Sequence, residues 1–199
     1  MAILQVITRP PRIPSFRGAL ICATAATFAV SAAGCGSHSQ AVAASTSASP
    51  AAPEPGRPDP ATFLRSDRSR KVAELQLLAG LGSSNNGYNF DGYGRGELLA
   101  SVPRGWRVTI RCEDHGSRRS SCAVVTGARS ATLAFPRASV PDPVQGLSPG
   151  ASAQFTFTAS HTGVFRIVSL VPGQSEARMY AVLQVTRGGR PSVTARPGP

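Results

Sequence analysis

The chain reads as all-β, a Greek-key β-sandwich or barrel of about seven to eight short strands, and three observations carry that reading. Apolar and polar residues alternate over short segments, the pattern of strands with one face buried. Turn-forming Gly, Pro and Asn residues separate those segments. No stretch shows a convincing amphipathic helical period. The alternating region spans about 115–120 residues, enough for a single core.

Composition agrees with a folded domain carrying extensions. Of 199 residues, 41% are hydrophobic and 16% charged, which is not the balance of a wholly disordered chain. Ala, Ser, Pro and Gly are concentrated toward the ends. The formal net charge is +11, and removal of the first segment with Arg9, Arg12 and Arg17 leaves +8. Such a balance favours anionic surfaces. However, the arginines are scattered without interleaved aromatics, and Lys71 is the only lysine. That pattern fits a coding bias better than a nucleic-acid footprint, and nucleic acid is not an expected partner.

Residues 1–34 read as a targeting segment. The three arginines form a positive region, and Ala19 to Ala33 is an uncharged, mostly apolar run too short for a membrane span. The run closes on Ala32-Ala33-Gly34-Cys35, which resembles a bacterial lipobox in which Cys35 is lipidated. Ala32 stands where that family usually has Leu, and ordinary cleavage nearby is the alternative. Either way the protein is expected to be exported, at the outer face of the cell membrane or in the envelope. Residues 35–70 read as a disordered Ser/Ala/Pro-rich tether, of which about 25 residues could span several tens of ångströms.

The β domain is placed at residues 71–186. Leu75 and Leu77 alternate with Glu74 and Gln76 in the first strand. Gly80 to Gly96 is a Gly/Asn-rich stretch whose Tyr88, Phe90 and Tyr93 are expected to pack on the sheet edge. Leu98, Ala100 and Val102 alternate into the Pro103-Arg104-Gly105 turn. Trp106, Val108, Ile110 and Cys112 then share one face of the clearest strand, with Arg107, Thr109 and Arg111 on the other.

Glu113 to Ser121 reads as a polar, solvated connection. Cys112 closes one strand and Cys122 opens the next, so a bridge across the mouth of a hairpin is geometrically plausible and is the state expected of an exported protein. Ala131 to Phe135 reads as a short strand and Pro136 to Gly150 as a surface excursion. Ala153 to Ala159 and Phe165 to Ser169 read as strands. After the Pro172-Gly173 corner, Met179, Ala181, Leu183 and Val185 alternate through the last one. Residues 187–199 read as a disordered tail.

Asn85 to Gly92 (NNGYNFDG), Val102 to Ile110 (VPRGWRVTI) and Gly163 to Tyr180 (GVFRIVSLVPGQSEARMY) together resemble the sulfocyanin-like branch of the cupredoxins. The resemblance implies a cupredoxin sandwich and a type 1 copper centre for electron transfer. Such a centre uses two imidazoles, a thiolate and a weak axial thioether. By that resemblance, the first histidine position is occupied by Ser120, the cysteine position by Ser169 and the second histidine position by Gln174. Met179 alone matches, at the axial position, with Arg178 replacing the usual glycine before it. A serine hydroxyl stays protonated and cannot replace a thiolate, and an amide cannot replace an equatorial imidazole.

The expectation is therefore a lipid-anchored envelope protein whose domain has lost copper and acts as a binding or structural module, with no cofactor. The alternative is a copper-binding electron-transfer or copper-handling protein with a reshuffled site drawing on Met179, His115 or His161. No enzyme constellation can be assembled from the motifs, and Glu113-Asp114-His115 reads as a solvated turn. Expected partners are the membrane through its anchor, and an envelope protein or anionic envelope polymer.

Overall fold

The computed structural model describes residues 56–127 and 130–198. The leader, Cys35 and most of the tether lie outside them. The described residues form nine strands: β1 (Leu64–Asp67), β2 (Val72–Ala79), β3 (Leu98–Pro103), β4 (Arg107–Asp114), β5 (Ala123–Val125), β6 (Ser152–Thr158), β7 (Gly163–Val168), β8 (Tyr180–Thr186) and β9 (Ser192–Ala195). The described helices are two short 3-10 turns, Pro60–Phe63 and Ser84–Gly87. None is long and apolar enough to cross a membrane.

The strands form two mixed sheets, ordered β1-β2-β4-β6 and β5-β7-β8-β3-β9. The β2–β4 and β3–β8 pairs are parallel and the others antiparallel. Parallel neighbours cannot be joined by a tight hairpin, so the chain must cross between sheets. It does so after β3, where the Pro103-Arg104-Gly105 turn carries it from the second sheet to the first. The result is an all-β sandwich of two mixed sheets.

Its core is assembled from the alternating faces. Leu75 and Leu77 of β2, Val108 and Ile110 of β4, and Phe155 and Phe157 of β6 pack toward Leu98 and Ala100 of β3, Phe165 and Ile167 of β7, and Leu183 of β8. Phe90 and Tyr93, expected at the sheet edge, are fully inside. The NNGYNFDG segment holds them there. The Asn89 side-chain oxygen accepts the Gly92 amide at 3.1 Å, and Asp91 accepts the Leu78 amide at 2.7 Å, tying the loop back to β2.

Several sequence boundaries are corrected. The folded part begins before residue 71, because β1 pairs with β2 from Leu64↔Leu75 to Asp67↔Val72. Its burial pattern is half-buried then exposed throughout, so it has no alternation to read. The tail is not wholly disordered: β9 pairs with β3, and Val193 enters the core. Residues 131–135 form no strand and keep only an isolated bridge, Val125↔Leu133. The Pro-rich excursion is not confined to the surface either, since Ala138 and Val140 are buried beside Phe135.

The disulfide Cys112–Cys122 is present, with Cα atoms 6.0 Å apart. It does not close a hairpin. Cys112 lies in β4 of one sheet and Cys122 immediately precedes β5 of the other, so the bridge staples the two sheets together.

Candidate functional site

Because β2 and β4 are parallel, they leave their sheet at the same end, with Ala79 opposite Asp114. The loop after β2 therefore meets the loop after β4, and His115 donates its amide to the Ala79 carbonyl at 2.8 Å. Gly80 permits this approach: a Cβ there would lie 2.7 Å from the Gly116 Cα, and its φ is +74°. The β7–β8 corner comes to the same end, where Ser169 meets Ser121.

The structure gathers the residues that the sequence analysis named as ligand positions. Ser120, Gln174 and Met179 line one cleft, and Ser169 is fully buried behind Ser121. The hydrogen bonds show what each does. The Ser169 hydroxyl oxygen accepts the Ser121 amide at 3.0 Å and lies 3.3 Å from the Ser121 hydroxyl. The Ser121 hydroxyl oxygen accepts the Leu170 amide at 2.9 Å. The Gln174 side-chain amide donates to the Arg119 backbone carbonyl at 2.7 Å, and the Gln174 backbone carbonyl accepts the Met179 amide at 3.0 Å. The 119–121 segment and the 169–179 corner are thus joined by direct polar bonds.

Two hydroxyls, an amide and a thioether do not make a type 1 copper ligand set, which requires imidazole and thiolate donors. The Ser169 oxygen and the Gln174 nitrogen are already committed to backbone partners. Among the described residues, no group of three or more His, Cys, Asp or Glu side chains is placed to hold a metal ion.

The histidines separate. His115 lines the cleft with Met179, and its ring lies 3.3 Å from the Glu113 carboxylate. His161 sits before β7, whereas Met179 lies beyond the other end of that strand's pairing with β8. Five strand steps separate those ends, roughly 17 Å. His161 instead packs against Phe135 and Phe165, tilted on the first and edge-on to the second, with ring centroids 4.8 and 5.3 Å away.

Asp114 is the site residue that sequence reasoning missed. It is not in a solvated turn but is the last residue of β4, 1% exposed. The signal was its parity: it continues the inward series Val108, Ile110, Cys112. Burial raises its pKa, opposed chiefly by the Gly116 amide, which donates to it at 2.9 Å. The Ser120 hydroxyl lies close enough to help hold the pKa down, although no hydrogen bond of ordinary geometry joins the two side chains. Among the described residues, the second Asp114 oxygen, the Ser120 hydroxyl and the Gln174 side-chain oxygen are buried without a hydrogen-bond partner of ordinary geometry.

No family model and no curated protein matches the chain. Solved structures similar to it include Na-dithionite-reduced auracyanin from Roseiflexus castenholzii, at 18% identity and a TM-score of 0.42 over 57% of this chain and 96% of that one. Auracyanin A, a "blue" copper protein from Chloroflexus aurantiacus, is 16% identical with a TM-score of 0.42, over 58% and 99% of the two chains. A blue copper oxidase from Nitrosomonas europaea is 18% identical with a TM-score of 0.43, over 56% of this chain and 38% of that one. Likeness at this level carries no chemistry over to this chain.

Proposed function

We propose that this chain is a copper-free cupredoxin-like module that works by binding or by structural support rather than by electron transfer. The observation that carries the reading is the commitment of Ser169 and Gln174 to the Ser121 amide and the Arg119 carbonyl. Where a metal would cross-link the two segments, hydrogen bonds do so. The location is the outer face of a cell membrane or the envelope, with Cys35 as lipid anchor and the Ser/Ala/Pro-rich segment as tether. The membrane is then a partner through the anchor, and an envelope protein or anionic polymer is a partner through the domain.

The test is titration of the oxidised full-length chain with Cu(II) and Cu(I), followed by calorimetry and visible absorption. The reading expects no stoichiometric tight site and no intense thiolate-to-copper band. Either one overturns it.

A second reading has one observation in its favour: His115 and Met179 share a cleft. It is a copper-handling site of low coordination number. Stoichiometric Cu(I) binding that is lost in both His115→Ala and Met179→Leu would establish it in place of the first.

A further inference from the structure

The cleft at this end has a volume of about 470 Å³, within the roughly 300–1,000 Å³ of ordinary small-ligand sites. Its walls come from three separate chain segments: the loop after β2 (Asn86 and Tyr88), the end of β4 with the loop after it (Asp114 to Arg118), and the β7–β8 corner (Gln174 and Met179). The Arg118 guanidinium lies over the Tyr88 ring, 5.2 Å from its centroid. On the cleft-lining residues Asp114 and Gln174, both more than nine-tenths buried, a side-chain oxygen makes no hydrogen bond of ordinary geometry among the described residues, and neither does the buried Ser120 hydroxyl close to Asp114.

These features narrow the ligand by chemistry. Buried acceptors without partners are costly, and a ligand that donates hydrogen bonds relieves that cost. A cationic donor meets Arg118 at the rim, and an anion meets the Asp114 carboxylate at the floor. An apolar ligand would leave the acceptors unmet. What remains is a neutral ligand rich in hydroxyls, with an aliphatic face for Tyr88 and hydrogen-bonding groups for Asn86, His115 and Ser117.

We propose that this cleft binds a sugar ring. Asp114 and Gln174 accept from its hydroxyls, while Tyr88, braced by Arg118, packs against its C–H face. The inference deepens the binding-module reading and rests on it.

The experiment is a ¹H–¹⁵N NMR titration of the full-length chain with methyl glucoside and methyl N-acetylglucosaminide, each to about 50 mM, the range in which weak single-site affinities are readable. Inorganic phosphate and methylammonium are the controls. Saturable shifts from a glycoside are expected at Asn86 to Tyr88, at His115 to Arg118 and at the Gln174 side-chain amide. Tyr88→Ala should weaken that binding about tenfold or more, as expected for loss of an aromatic anchor. Asp114→Asn should also weaken it, and circular dichroism should report both variants as folded.

Saturation by phosphate or methylammonium with silent glycosides overturns the sugar assignment. So do glycoside shifts confined to other surfaces, or no shifts at all. Because copper titration is a separate measurement, a chain that binds neither copper nor glycoside refutes this inference and leaves the copper-free reading standing.

Discussion

The Ser169 hydroxyl accepts the Ser121 amide at 3.0 Å inside the protein, and the Ser121 hydroxyl returns the contact by accepting the Leu170 amide. This reciprocal pair joins the segment before β5 to the segment after β7. Ser169→Ala leaves the Ser121 N–H buried without its acceptor and should cost about 1–3 kcal/mol. Urea unfolding checks it. In the Ser121→Ala/Ser169→Ala cycle the losses should be non-additive by roughly 0.5 kcal/mol or more. Independent, additive losses would show that the pair does not act as a unit.

The ligand positions can be tested by refilling them. Ser120→His, Ser169→Cys and Gln174→His, combined above the native Met179, should create a site that takes up Cu(II) with an intense visible thiolate-to-copper band. A folded triple variant that stays colourless would mean these positions do not converge as ligand positions.

Asp91 is buried, and its pKa is pushed up to about 8 by desolvation, against the lowering effect of the Leu78 amide. The sign follows from linkage: between the unfolded value near 3.8 and about 8, the folded state binds more protons than the unfolded one. Stability therefore falls as pH rises through that window and levels off above it. Asp91→Asn keeps an acceptor for the Leu78 amide and removes the ionisation. It should flatten the Asp91 part of the pH dependence and raise the melting temperature at pH 8–9, as measured by thermal scans across pH.

The Cys112–Cys122 bridge holds one sheet to the other across a sequence separation of 10. Replacing both cysteines by alanine should cost about 3 kcal/mol in the chain-entropy model. Reducing agent should lower the melting temperature of the native chain and leave the double variant unmoved.

A chain ending at residue 190 lacks β9, with its ladder on β3 and the buried Val193. It should melt well below the full chain. An unchanged melting temperature would mean that β9 adds nothing to the domain.

Much of the fold was legible from period alone. Trp106, Val108, Ile110 and Cys112 announce a half-buried strand because successive side chains on a strand alternate faces, and all four are buried. The same rule fails where a strand has no buried partner face. β1 is almost entirely exposed, so its residues carry no pattern and read as tether. β9 buries only Val193 fully and reads as tail. The Val124 and Val125 pair of β5 is buried on both faces, because Ala123, Val125, Val168, Tyr180 and Val182 form a second apolar cluster on the outside of their sheet.

The all-β class, the inward faces of the long strands and the residue types at the resembled ligand positions are legible in the linear chain. A serine where a thiolate is needed is a chemical fact that no folding alters. That the cysteine bridge spans two sheets, that Asp114 lines a cleft, and that Ser169 and Gln174 are bonded to Ser121 and Arg119 emerges with the folded arrangement alone. The cause is separation along the chain. Alternation is a local property of neighbouring residues, whereas those contacts join residues 48 and 55 positions apart and exist only once the parallel strand pairs bring the loops to one end.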